Sequence, residues 1–232
     1  MKTATTRFSL LLGSILLLGG CGATLHEYVR EPLLSGTKTA TRADRTGACF
    51  GLDRTGVPAA IAQADGEKLV GYENRFVRGA DPFPCNHRYN YAHQTALLFD
   101  LNDLIARRAL VTEATLEMDT HFYSQMDATE LTRDCQVHFQ RATAAWPPGD
   151  ARGDASVLVS GVDVLSSAFD SSDGIARRDV LRAVQQWMNG RAPNHGLLLS
   201  PAPEHVNADE TLFCVHGLRN FRLRLKVLEP AA

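Results

Sequence analysis

Two stretches of alternating apolar and polar side chains limit the folds open to this chain more than any other feature. They span residues 111–122, "VTEATLEMDTHF", and residues 220–228, "NFRLRLKVL". A period of two requires extended backbone, because successive side chains of a strand point to opposite faces. The polar face is charged in both stretches, which indicates antiparallel strands that cover a core on one side only.

Residues 177–190, "RRDVLRAVQQWMNG", break this period. Their apolar residues fall on one helical stripe, which predicts a short helix; they are Val180, Leu181, Val184, Trp187 and Met188. Gly190 suits the left-handed position after the last turn, and Pro193 prevents continuation. The predicted fold class is all-β, an antiparallel jelly-roll-like β-sandwich with one short α-helix.

The turn after this helix has two interpretations. Asn194 and Gly196 tolerate the positive φ of a tight turn, and Trp187 and Gly190 end the helix before it. These four residues then form a structural corner that closes one end of the sandwich. The alternative is an active-site turn that presents His195. We favour the corner, because nothing else in the sequence assigns chemistry to this turn.

A secretory signal is predicted at the amino terminus. Lys2 and Arg7 form a positive region, and a predominantly apolar segment runs from Phe8 to Leu18. This segment is too short to cross a bilayer as a stable helix. It is typical of a signal peptide that is removed from the mature protein.

The residues that follow, "LGGC" at 18–21, resemble a bacterial lipobox. The resemblance implies that Cys21 is diacylated, that residues 1–20 are removed, and that the new amino terminus receives a further acyl chain such as palmitate. Several acyl chains anchor a protein stably, whereas one binds only marginally. Gly22 in place of Asp favours the outer membrane. The alternative is an ordinary signal followed by a chance cysteine.

The mature chain is expected to comprise a tether and one domain. Residues 21–46 are rich in Thr, Gly, Ala and charge without a sustained period, which predicts a lipidated flexible tether. Residues 47–232 are predicted to form a single β-sandwich domain. Removal of the signal takes two basic residues and no acidic one, so the net charge moves from −2 to −4. This mild acidity argues against a nucleic-acid partner.

Four cysteines remain after Cys21, an even number that predicts two disulfides in an exported chain. Four cysteines allow three pairings. We favour Cys49–Cys85 with Cys135–Cys214, because Cys135 and Cys214 lie in strand-like runs. A zinc site is the alternative, but the sequence has no CxxC or HxxxH spacing to support one.

Several segments between residues 90 and 228 resemble the DNRLRE-type β-sandwich domain, which is related to carbohydrate-binding modules. The resembling segments are "QTALLFDLNDL", "VTEATLEMDTHF", "ATAAWPPG", "DVLRAVQQWMNGRAPNHGLLLSP" and "FRLRLKV". The resemblance implies a sandwich fold and a carbohydrate-binding-like role. Residues 47–90 depart from the family's pattern.

No catalytic motif is present, since the chain lacks a GxSxG elbow, an HExxH helix and a P-loop. The sequence therefore predicts no catalytic residue, no cofactor and no metal. The leading interpretation is a non-enzymatic, lipid-anchored protein of the cell envelope. Its domain is expected to bind a polysaccharide or an envelope protein, or to have a structural role at the cell surface.

One segment, residues 83–93, offers an alternative function as a glycan-binding or glycan-active module. Sugar faces stack on aromatic rings while hydroxyls exchange hydrogen bonds with polar side chains. The candidate ligand surface consists of Phe83, His87, Arg88, Tyr89, Asn90 and Tyr91. The competing interpretation, which we favour, is a loop whose rings pack against the edge of the sandwich.

Overall fold

The computed structural model describes residues 23–46, 61, 63–77, 86–124, 137–146, 149–153, 155–163, 174–201 and 212–230. Within these ranges the chain forms eleven β-strands and two α-helices. The strands are β1 (Thr24–Arg30), β2 (Leu34–Thr46), β3 (Lys68–Val77), β4 (Asn86–Leu98), β5 (Leu110–Ser124), β6 (Val137–Ala142), β7 (Ala151–Gly153), β8 (Gly161–Asp163), β9 (Gly174–Asp179), β10 (Leu197–Pro201) and β11 (Leu212–Glu229). The helices are α1 (Asn102–Ala106) and α2 (Leu181–Met188), and a 3₁₀ turn covers Ala155–Val157.

All the described strands belong to one sheet, which confirms the all-β fold. The main order is β8-β6-β10-β4-β3-β11-β5-β9, with β1 paired to β11, β2 to β4 and β7 to β2. The two separate layers of a jelly-roll sandwich are not confirmed, because the sheet is continuous and curls into a half-barrel. Strand β3 is the physical reason: it pairs with both β4 and β11, so the hydrogen-bonded ladder runs on between them.

Two arms of the continuous sheet extend from the two edges of β3. One arm continues from β4 to β10 and β6, and the other contains β1, β11, β5 and β9. The main hydrophobic core joins buried side chains from both arms; they include Leu97, Phe139 and Leu199 from the first arm, and Leu116, Leu223 and Leu225 from the second. Apolar burial at this interface stabilises the curl.

The alternating stretches become β5 and the second half of β11. Leu223, Leu225 and Val227 are fully buried, whereas Arg222 and Arg224 are exposed. The faces are therefore those that the period of two predicts.

Helix α2 lies against the core through its apolar stripe. Val180, Val184 and Trp187 are buried, and Trp187 is only 3% exposed. Gly190 follows the helix with φ of 71°. Helix α1 was not predicted, so the described chain has two helices where the sequence indicated one. Neither described helix is long and apolar enough to cross a membrane.

The corner after α2 is held by its own side chains and backbone. The Asn194 amide donates to the Phe99 carbonyl at 2.9 Å, and its Oδ1 accepts from the Gly196 N–H at 3.1 Å. Gly196 has φ of 92°, and a Cβ there would overlap the Leu97 carbonyl. Glycine is required at this position both by the backbone conformation and by the close approach of β4.

The tether predicted over residues 21–46 is wrong for residues 24–46. These residues form β1 and β2, and β2 pairs with β4 from Leu34 to Thr46. Thr37, Lys38 and Thr39 are buried although the segment is polar. Neighbouring strands supply this burial, so the local composition gave no sign of it. The domain therefore begins by residue 24 rather than at residue 47.

Candidate functional site

The predicted aromatic surface is not a loop where the structure describes it. Residues 86–93 belong to β4, so the loop predicted over 83–93 is wrong for this range. Tyr89 and Tyr91 are buried against one another, and Asn90 is half-buried. Phe83 and the side chains of His87 and Arg88 lie outside the described part of the chain. The two described rings are packed, so they offer little surface to a ligand.

The cysteines remain largely outside the described residues. Cys21, Cys49, Cys85 and Cys135 all lie there, whereas Cys214 is buried in β11. Lipid attachment at Cys21 and the pairing of the other four cysteines therefore stay predictions.

A cleft of about 470 Å³ opens near the carboxyl end of β5, where β5 and β11 carry residues 119–123 and 217–220. It is lined by Gly217 and by seven polar or aromatic residues: Glu67, Asp119, Thr120, His121, Tyr123, Arg219 and Asn220. We call it the Glu67 cleft.

Glu67 is a buried carboxylate held in place by several donors. The Tyr123 hydroxyl donates to its Oε2 at 2.9 Å, and the Ala64 N–H donates to the same oxygen at 3.2 Å. The Arg219 Nε lies 3.7 Å from Oε1. A Cβ on Gly217 would overlap that oxygen, so only glycine leaves room for the carboxylate here.

Tyr123 and His121 form the aromatic part of the cleft. Their ring centroids are 4.7 Å apart with the planes at 86°, the edge-to-face arrangement that ring quadrupoles favour. Burial, and next the hydrogen bond to the Glu67 carboxylate, raise the pKa of Tyr123. The phenol therefore stays protonated at neutral pH and keeps donating to Glu67.

A β-bulge positions the remaining donors. The register of β11 against β5 shifts between Arg219 and Arg222, and Asn220 has φ of 52°. The Asn220 amide donates to the Asp119 carboxylate. Bulges redirect side chains out of the regular ladder, and this one brings Arg219 and Asn220 into the cleft.

The cleft therefore combines two carboxylates, a guanidinium, an amide, a phenol and an imidazole. Such a set can donate and accept several hydrogen bonds at once, which is what a hydroxyl-rich molecule requires. Among the described residues no three His, Cys, Asp or Glu side chains converge as a metal site.

A second polar group, deeper in the sheet, has the order of a hydrolytic triad. The Thr39 Oγ1 lies 3.0 Å from the His93 Nδ1, and the His93 Nε2 lies 2.8 Å from the Glu73 Oε1. The His93 and Glu73 side chains are both fully buried. Triads act on substrates that reach them, so this group is assigned to structure. It links β2, β4 and β3 through hydrogen bonds.

Glu117 anchors a third group, on the face of β5 that carries the charged residues. Its carboxylate accepts from Arg177 Nε at 2.9 Å, from Arg224 Nη2 at 3.1 Å and from Arg222 Nη1 at 3.4 Å. The hydrogen bonds of Arg224 and Arg177 lower the pKa of Glu117 to about 2. Three arginines from two strands are thereby tied to one carboxylate, which indicates a stabilising role for the group.

This lowered pKa predicts a pH dependence of stability. A carboxyl group with a depressed folded-state pKa stabilises the fold above its unfolded value and loses that contribution as the pH falls. For Glu117 the window runs from pH 4.5 down to about 2. Urea unfolding midpoints should fall across this window in the parent protein and fall less steeply in Glu117→Gln. Equal slopes in the two proteins would contradict the assignment.

Sequence reasoning missed the Glu67 cleft, because its residues come from segments that are distant along the chain. One local sign was present in "CVHGLRNF", where Gly217 interrupts a strand pattern. A glycine inside a strand marks a bulge or a close approach. Here Gly217 marks the close approach of Glu67, and the bulge follows it between Arg219 and Arg222.

No protein-family model matches the chain, and no curated protein matches its sequence significantly. The resemblance to the DNRLRE-type domain therefore remains an expectation drawn from short motifs.

Proposed function

We propose that this chain is a lipid-anchored protein of the bacterial cell envelope whose domain binds a glycan in the Glu67 cleft without catalysing a reaction. The observation that carries the binding role is the cleft itself. Its buried Glu67 carboxylate accepts from Tyr123 and lies beside Arg219, so it positions these two side chains next to Asp119 and Asn220. The ligand site that we propose is therefore this cleft and not the surface predicted over residues 83–93.

The charges of the cleft favour one class of glycan. Glu67 and Asp119 outnumber Arg219, so the lining carries more negative than positive charge. A negatively charged sugar would be repelled by these carboxylates and would bind more weakly. A sugar that carries an ammonium group would be attracted by them and would bind more tightly. We therefore expect neutral or amino sugars to bind better than uronic acids.

A glycan array tests this proposal. The mature lipoprotein, kept in detergent, is applied to neutral, amino-sugar and uronic-acid polysaccharides. Retention on neutral or amino-sugar polysaccharides is expected. Absence of binding to every polysaccharide would overturn the glycan proposal, and binding to uronic acids alone would contradict the charge argument.

The anchoring part of the proposal rests on the lipobox and has its own test. Cys21→Ser removes the thiol that would be acylated, so it should abolish labelling by a radioactive fatty acid and leave unprocessed precursor. The parent protein should label and float with membranes. Continued membrane fractionation of a processed Cys21→Ser protein would show that the anchor lies elsewhere.

A further inference from the structure

Three leucines lie side by side across three neighbouring strands at one end of the sheet. Leu25 of β1 pairs with Leu228 of β11, which pairs in turn with Leu110 of β5. Directly opposed residues point to the same face of a sheet, so the three form one apolar row. Leu25 is 55% exposed, Leu110 is 58% exposed and Leu228 between them is half-buried, so the two outer leucines of the row are largely uncovered by the described part of the chain.

The leucine row lies at one end of this face, and charged side chains separate it from the next exposed apolar residue on β1, Val29. The next residues along the same three strands on this face are Glu27, Lys226 and Glu113, which lie opposite one another. Lys226 and Glu113 form an ion pair at 2.9 Å. Apolar side chains at the rim with charged side chains behind them are the arrangement of a protein surface that contacts the boundary between headgroups and acyl chains.

The position of Cys21 indicates what covers the row. Strand β1 begins at Thr24, three residues after Cys21, and Leu25 is its second residue. Three residues span at most about 11 Å even when fully extended. A lipid attached at Cys21 therefore holds this end of the sheet close to the headgroups.

We propose that the leucine row rests in the headgroup region of the membrane that holds the Cys21 acyl chains. The proposal rests on the lipid attachment proposed above. It also fixes an orientation, because the Glu67 cleft lies at the other end of β5. The distance from Leu110 to the stretch Asp119–Tyr123 is roughly 30–40 Å along the strand. Contact through the row would direct the cleft away from the membrane.

Quenching of a new tryptophan by brominated lipid tests this contact. The lipidated parent, Leu110→Trp, Leu25→Trp and Ile175→Trp are each reconstituted into phosphatidylcholine vesicles with plain or dibrominated acyl chains. Ile175 is a matched control: it is 60% exposed and pairs with Asp119, on the same face and at the opposite end of β5. The parent's signal from Trp146 and Trp187 is subtracted.

Bromine should reduce the added emission of Leu110→Trp and Leu25→Trp by roughly half, since side chains at this boundary lie about 5–10 Å deep. The emission of Ile175→Trp should not change. Quenching of none of the variants, or of Ile175→Trp equally, would overturn the proposal. An emission shift that follows protein concentration but not bromination would assign the row to a second copy and overturn it too.

Flotation of the same vesicles separates the two proposals. Protein that floats while the row remains unquenched would refute the leucine contact and leave the Cys21 anchor standing. Protein that fails to float would refute the anchor, and the leucine proposal with it.

Discussion

Replacing Trp187 with alanine is expected to lower the free energy of unfolding by about 3–5 kcal/mol, the range for deleting a large buried aromatic side chain. The indole lies in the last turn of α2 and is 3% exposed. It belongs to the core that joins the two arms, together with Val180, Val184 and Leu116. The loss combines the apolar area returned to water with the cavity left behind, because the surrounding strands cannot close in completely.

His195→Ala is the control for this prediction, since it lies in the adjoining corner. The corner depends on the backbone and on Asn194 and Gly196, so His195→Ala should cost less than about 1 kcal/mol. Urea unfolding curves of both variants and the parent give the two values. A Trp187→Ala protein as stable as the parent would show that Trp187 does not contribute to the core. A His195→Ala protein that folds but no longer binds glycan would show that the corner is part of the binding site.

Replacing Glu67 with glutamine is expected to weaken glycan binding by about 10- to 100-fold. Glu67 is 1% exposed, so it acts on a ligand through the two side chains that it positions, Tyr123 and Arg219. A hydrogen bond to a charged group contributes roughly 1.5–3 kcal/mol, and each 1.4 kcal/mol is a factor of ten in affinity. The glutamine keeps the size of the side chain and removes its charge. Calorimetric titration with the polysaccharide that binds best measures the change.

Glu113→Gln is the matched control for Glu67→Gln. Glu113 is a carboxylate on the same strand as the cleft residue Asp119, and it pairs with Lys226 near the opposite end of the sheet. The affinity of the Glu113→Gln protein for the glycan should equal that of the parent. Equal losses in the two variants would point to a general electrostatic effect, and no loss in Glu67→Gln would exclude Glu67 from recognition.

The sequence predicted the fold class because β5 and β11 carry their burial pattern locally. Leu116, Met118, Leu223 and Leu225 alternate with charged residues, and a period of two is typical of an extended strand with one buried face. The same alternation could not distinguish a sandwich from one curled sheet. That outcome depends on β3, which pairs on both edges, and pairing partners are not encoded in any single strand.

Residues 24–46 escaped prediction for a related reason. Thr37, Lys38 and Thr39 have the composition of a solvated tether, yet they are buried by their neighbours. Hydrogen bonds compensate this burial, as when the Thr37 hydroxyl accepts from the Leu69 N–H at 3.0 Å. Tertiary context of this kind overrides local composition.

The Glu67 cleft was beyond sequence reasoning because its residues meet only in the folded sheet. Glu67 precedes β3, whereas Asp119 and Tyr123 lie in β5 and Arg219 lies in β11. Each is an ordinary residue of a strand or turn in its own segment. Gly217 was the one local sign, and by itself it does not specify which side chain it accommodates.

Hydrogen exchange in the presence of the bound glycan tests most directly whether the Glu67 cleft is the binding site. The backbone amides of residues 119–123 and 216–220 should exchange more slowly when the ligand is present. Bound ligand makes local opening of these two strand segments less frequent, and exchange requires that opening. The control amides are those near Glu117, residues 174–179 of β9 and residues 222–226 of β11. They should exchange at unchanged rates. A bound glycan that leaves 119–123 and 216–220 unprotected would contradict the assignment of this cleft.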